Sequence, residues 1–181
     1  MRTKLPSAVA LGVAAGLLLA ACQAAAPTPA PTAAVDLVLV ADTVQGPANL
    51  TPEEKASGAV CVQKNRFAKN EEIVWRVRVI DPATGEAMDD QALSSVVVHL
   101  PDQDLDLHYG PHPRDNPVDF FWTTAFDVPE TYPTGLLAYT IDATAADGRT
   151  GTYNQFGVAL AQLQVTDEVR PVITPAPSPT T

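Results

Sequence analysis

The residues of this chain best suited to chemistry are three histidines, His99, His108 and His112, and three alternating carboxylates, Asp102, Asp104 and Asp106. Five of these six fall within one segment, LPDQDLDLHYGPHPRDNP, from Leu100 to Pro117. Carboxylates at every second position share one face of a strand. Together they offer oxygens to Ca²⁺, which takes about six to eight of them. The EF-hand spacing is not met, because the required glycine and the closing glutamate are missing. His108 and His112 stand four apart across Gly110-Pro111, which reads as a turn and denies them a shared helical face. A metal site built from His108, His112, Asp104 and Asp106, for copper, zinc or calcium, needs at least three ligands converging from separate elements. The plainer expectation is an edge strand whose charged face discourages pairing, next to a loop stiffened by Pro111, Pro113 and Pro117.

Aromatic residues gather between Tyr109 and Tyr139, with Phe120, Phe121, Trp122, Phe126 and Tyr132 between them. An aromatic surface can stack on sugars or peptides. Along a strand, Phe121 points away from Phe120 and Trp122, so core packing cannot absorb all three. Tyr109, Phe121 and Tyr132 are therefore the candidate ligand-binding residues. Cys61, flanked by Val60 and Val62, reads as a small apolar residue on a strand. No Gly-x-Ser-x-Gly elbow, His-Glu-x-x-His pair or phosphate loop is present. Asp89-Asp90 lies in a turn region. The chain is therefore expected not to be an enzyme and to need no cofactor.

The net charge is −10, and loss of Arg2 and Lys4 with a leader takes it to about −12. An acidic chain repels nucleic acid and anionic head groups, so no nucleic-acid partner is expected. The leader itself is legible. Arg2 and Lys4 precede an apolar run from Ala8 to Ala21, the pattern of a secretory signal, too short to span a bilayer comfortably. The run closes on Leu19-Ala20-Ala21-Cys22. These four residues resemble the lipobox of bacterial lipoproteins. That resemblance implies cleavage before Cys22, a diacylglyceryl group on its thiol and acylation of the new amino group. Each buried methylene contributes about 0.8 kcal/mol, so two or three chains anchor stably.

The elements that must position the candidate residues follow from composition. Residues 1–21 form a helical signal peptide; residues 22–34 are the lipidated cysteine and an Ala/Pro/Thr linker. Such a linker, extended as polyproline II, reaches about 35–40 Å. Residues 171–181, PVITPAPSPTT, form a disordered tail with nothing to bury. The interval 35–170 holds one all-β domain. Strands are expected at Val35–Val40, Ala59–Gln63, Ile73–Ile80, Ser94–Leu100, Leu105–Tyr109, Asp119–Phe126, Gly135–Ala143 and within Tyr153–Val165. One helical turn is expected near Thr51, with Pro52 at its first position. Asp147-Gly148 marks a hairpin. Seven or eight short strands in this interval point to a single antiparallel β-sandwich.

The stretch PTGLLAYTIDATAADG, Pro133 to Gly148, resembles the penultimate strand and final hairpin of bacterial immunoglobulin-like domains. Trp75 on an early strand resembles the buried tryptophan of that fold. The resemblance implies an immunoglobulin-like sandwich, without the inter-sheet disulfide of antibody domains. The functional expectation is a non-catalytic binding or structural module, held at the envelope through the Cys22 lipid. It would sit on the outer leaflet of the cytoplasmic membrane, or on the outer membrane where a cell has two. It would contact an envelope protein or a saccharide through loops around 101–118 and 127–135. The alternative is an exported metal-binding β-sandwich.

Overall fold

Alternating β-branched and polar residues dominate the interval from Val35 to Arg170, and the computed structural model turns them into an all-β fold. It describes residues 36–112, 117 and 119–173. The expected signal peptide and linker, with Cys22, lie outside the described residues, as does most of the expected tail, beyond Ile173. In chain order the elements are β1 (Val38–Gln45), α1 (Pro52–Ala56), β2 (Arg66–Lys69), β3 (Glu72–Ile80), β4 (Leu93–His99) and β5 (Asp104–Asp106). They continue with β6 (His108–His112), β7 (Asp119–Asp127), β8 (Gly135–Leu136), β9 (Thr140–Ala145), β10 (Thr150–Asn154) and β11 (Gln164–Val169).

Two four-stranded sheets form, ordered β1-β3-β7-β6 and β10-β9-β4-β5, with a third sheet β2-β11-β8. Pairing is antiparallel except between β2 and β11, which run parallel. The expectation of one antiparallel sandwich with seven or eight strands is thus corrected to eleven strands in three sheets among the described residues. The extra count arises where the chain switches partners. At Leu107 the expected strand Leu105–Tyr109 breaks, so that β5 pairs with β4 while β6 pairs with β7. The expected strand Gly135–Ala143 divides in the same way into β8, on β11, and β9, between β4 and β10.

β3 carries the period-2 pattern most plainly. Ile73, Trp75, Val77 and Val79 are fully buried, while Arg76 and Arg78 alternate with them on the other face. Val96 and Val98 of β4, Trp122 and Phe126 of β7, and Ile141 and Ala143 of β9 join the same apolar core. The two larger sheets therefore bury their inner faces in one cluster, sandwich-like, with Trp75 at its centre. The Tyr139 ring meets Trp75 edge-on at 5.6 Å between centroids. Trp122 donates its indole N–H to the Met88 carbonyl at 3.0 Å, the partner a buried indole needs.

The first strand starts later than expected, at Val38, and runs on to Gln45. The helical turn is as expected. Thr51 Oγ1 accepts from the Glu54 backbone N–H at 3.1 Å, and the Glu54 carboxylate accepts from the Thr51 N–H at 2.8 Å, a reciprocal capping box. The β9–β10 hairpin turns at Asp147-Gly148, where Gly148 takes φ 88°.

A buried ionic knot fastens the end of β11 to the turn between β2 and β3. Glu71, almost fully buried, accepts from Lys64 Nζ at 2.7 Å, from the Ala68 N–H at 2.8 Å and from Arg170 Nη2 at 2.9 Å. Arg170 also grips the Glu54 carboxylate of α1. Among the described residues no helix is long and apolar enough to cross a membrane.

Candidate functional site

The outer face of the β1-β3-β7-β6 sheet brings Asp42, Arg76, Arg78, Asp119, Phe121 and His112 together. Cross-strand register sets Asp42 of β1 beside Arg76 of β3. Arg76 makes a two-pronged bond to it, Nε to Oδ1 at 2.9 Å and Nη2 to Oδ2 at 2.6 Å, the arrangement that a planar guanidinium favours. Arg78 pairs with Asp119 of β7. Both guanidiniums lie over the Phe121 ring, Arg78 at 4.7 Å and Arg76 at 5.5 Å from its centroid. Phe121 is therefore covered by two guanidiniums on the outer face. The His112 ring meets its edge at 6.0 Å.

Cys61 completes this group, and its position overturns the expectation of a core residue on a strand. Residues 59–63 form no strand, contributing only one bridge from Gln63 to Val44. Cys61 is half-buried and takes φ 65°, a left-handed conformation that costs a non-glycine residue about 1 kcal/mol. Its N–H donates to the Gln45 carbonyl at 2.8 Å, which seats the segment on the end of β1. The Cys61 Sγ then lies 3.1 Å from His112 Nε2. Burial pushes the thiol up, against the pull of Arg76. Burial also lowers the His112 imidazole, reinforced by Arg76 and opposed by Asp42. At neutral pH the two therefore meet as thiol and neutral imidazole. This is a hydrogen bond and not the thiolate–imidazolium pair of an activated nucleophile.

The metal candidates do not converge. Gly110-Pro111 lies within β6 and is not a turn, which corrects the expectation there. His108 and His112 share a strand face four positions apart, about 13 Å along the chain, too far for one ion. Asp104 and Asp106 are exposed on β5, which belongs to the other sheet. Asp104 instead accepts from His99 Nδ1 at 2.8 Å, and His99 Nε2 approaches Asp142 at 3.2 Å. Among the described residues no three His, Cys, Asp or Glu gather to hold a metal ion.

The ligand candidates separate too. Tyr109 packs against Trp122 and Phe120 at the core edge. Phe120, expected on the core side with Trp122, stays half-exposed, stacked on Tyr109 and paired with Pro111 of β6. Tyr132 lies edge-on to Phe126, and its hydroxyl reaches Asp102 at 3.4 Å. It lines a cleft of about 430 Å³ between the loops at 101–102 and 129–137, with Pro101, Pro129, Pro133, Leu136 and Leu137. Burial raises the Tyr132 hydroxyl, helped by the Asp102 carboxylate beside it, so it stays protonated and able to donate.

Sequence reasoning missed Cys61, Arg76, Arg78 and Asp42 as neighbours of His112. The alternation of Arg76 and Arg78 against buried Val77 did place them on an outer face. Which loop would lie across that face left no local signal. No protein-family model and no curated protein sequence matches the chain.

Proposed function

We propose that the protein is an exported lipoprotein whose immunoglobulin-like β-sandwich acts as a non-catalytic binding module at the cell envelope, anchored through a lipid on Cys22. The observation that carries the binding role is the cleft beside Tyr132. It opens between two of the loops that the sequence marks for contact, and its walls are proline, leucine and tyrosine with Asp102 at the rim. A pre-formed cleft with apolar walls and a few polar groups, here Asp102, Thr131, Thr134 and the Tyr132 hydroxyl, is the usual form of a ligand site. Its proline and leucine lining suits a polypeptide segment presenting an apolar side chain better than a saccharide. The immunoglobulin-like reading is supported by the shared core around Trp75 and by Leu137, Tyr139 and Ile141 of the Pro133–Gly148 stretch, all buried in it.

The anchor reading rests on the basic leader and on Leu19-Ala20-Ala21-Cys22. The chain's negative charge supports a membrane contact made by lipid in place of a basic surface. Intact mass and membrane partition, beside a Cys22→Ala variant, test it. The wild type should lose residues 1–21, gain two or three acyl chains and stay with membrane. Release of an unlipidated chain sinks the anchor. A photo-crosslinking amino acid at position 132 tests the cleft in cells. It should capture a discrete envelope protein, whereas the same label at Asp147, on the far hairpin, should not. Equal capture at both positions, or none at 132, sinks the binding site. Metal analysis of protein purified without added metal tests the alternative, which a stoichiometric ion would restore.

A further inference from the structure

The loop from Gln155 to Leu163, QFGVALAQL, carries no charged residue and presents Phe156, Val158 and Leu160 outward while Leu163 is buried. Phe156 is 74 % exposed, Val158 62 % and Leu160 87 %. Single exposed apolar residues are ordinary, but three within five positions of one loop mark a contact surface.

The loop is also built to hold this shape. Gln155 donates Nε2–H to the Leu137 carbonyl and accepts from the Leu163 N–H, closing the loop's base. Asn65 donates to the carbonyls of Leu160 and Gln162, and Gln164 donates to that of Ala159. The backbone is thus satisfied internally at these points while the side chains project. Fewer of the loop's carbonyls are then left to water, which lowers the cost of bringing its tip toward an apolar medium.

We infer that this loop is a bilayer-contact surface, with Phe156, Val158 and Leu160 entering the boundary between head groups and acyl chains. Its chemistry suits that occupant: an uncharged apolar tip with an aromatic residue, with the exposed Arg66 next in sequence to the Asn65 that holds the loop. The geometry of the tether allows it. The described chain enters at Leu37, which bonds to Thr150 at the start of β10, while the loop follows the far end of that five-residue strand. β10 spans about 16 Å. The 13 residues between Cys22 and Asp36, extended, reach about 40 Å. A chain tethered at Cys22 can therefore turn this end to the membrane. The inference rests on the proposed anchor only as what brings the bilayer near.

The test removes the anchor. The folded unit has its own core, so residues 23–181 are prepared without the leader and floated with phosphatidylcholine vesicles. The wild type should float. The combined variant Phe156→Ser, Val158→Ser and Leu160→Ser should lose about tenfold or more in partition, with unchanged thermal melting, because these side chains are exposed. Failure of the wild type to float, or equal flotation of both forms, overturns the inference. Self-association of the wild type that the variant relieves, without vesicle binding, also overturns it and names a second copy as the occupant. Because this form bypasses Cys22, a failed lipoprotein assignment is read separately, from the mass of the cell-derived chain.

Discussion

Cys61 Sγ and His112 Nε2 lie 3.1 Å apart although 51 positions separate them in the chain. Two long-range events make the contact: the segment after α1 folds back onto the end of β1, and β6 adds to the edge of the same sheet as β7. With the thiol raised and the imidazole lowered, the proton stays on sulfur and the ring stays neutral.

Alkylation of Cys61 should accordingly be slow at neutral pH. Its rate with iodoacetamide should fall below that of a free thiol at pH 7 and climb only above the ordinary thiol range near about 8.5. Intact mass followed against time and pH measures this. A rate already maximal at pH 7 would mean an ion pair in place of the neutral contact. Arg76→Ala should slow the reaction further, since the Arg76 charge is what favours the thiolate.

Glu71 ties stability to acid. Burial raises its carboxyl, but the Lys64 bond, the Ala68 N–H, the Lys64 charge and Arg170 outweigh that and leave it lowered. A lowered folded value contributes stability above the unfolded carboxylate range, near about 4.3, and loses it as pH falls through the folded value. Glu71→Gln should cost about 2–3 kcal/mol at pH 7. The gap should narrow toward pH 3 in urea unfolding; a constant gap would assign the loss to packing.

Glu72, next in sequence, works the other way. Burial raises it, with Asp127 adding to the effect and the Ala48 N–H and Lys55 opposing. Its stabilisation is complete below the unfolded value and is lost as pH rises through the folded one. Glu72→Gln keeps an acceptor for Ala48, so it should leave stability unchanged or higher by up to about 1 kcal/mol at pH 7. The difference should vanish in acid. Clear destabilisation at pH 7 would show that the charge itself is needed.

Gly151 marks where β10 meets the start of the domain. A Cβ there would sit 2.5 Å from the Leu37 carbonyl oxygen and 2.7 Å from Leu39 Cδ1. Backbone cannot yield cheaply, so Gly151→Ala should cost about 1–3 kcal/mol and speed hydrogen exchange at Leu37. At Gly46 the nearest atoms to an added Cβ belong to the Glu72 side chain, which could move only by giving up its bond from the Ala48 N–H, so Gly46→Ala should cost about one such hydrogen bond, roughly 1 kcal/mol. Thermal melting of the two variants compares them directly.

Periodicity was the reliable guide to strands whose neighbours do not alter their pattern. Trp75, Val77 and Val79 against Arg76 and Arg78 announce β3 with its buried face, and Asp147-Gly148 announces the β9–β10 hairpin. The pattern fails where a strand changes partner. Nothing local in DLDLHYGPH reveals that Leu107 divides two strands belonging to different sheets. Gly110-Pro111 looked like a turn because its residues favour one; pairing with Phe120 and Phe121 of β7 overrode that preference.

For the candidate site, side-chain direction was legible and proximity was not. Alternation alone sets Phe121 apart from Trp122, and the loop containing Tyr132 could be named from its turn residues. The sequence by itself determined the β-rich character, the outward arginines of β3, the capped turn at Thr51 and the acidic surface, because each depends on neighbours a few positions away. Tertiary structure alone decided that Phe121 lies under two guanidiniums, that Cys61 faces His112, and that Asp104 turns to His99 and not to His112. Those contacts join residues on separate strands or, for Cys61, on the segment after α1, and their energies exist only after the sheets have paired and that segment has folded back onto β1.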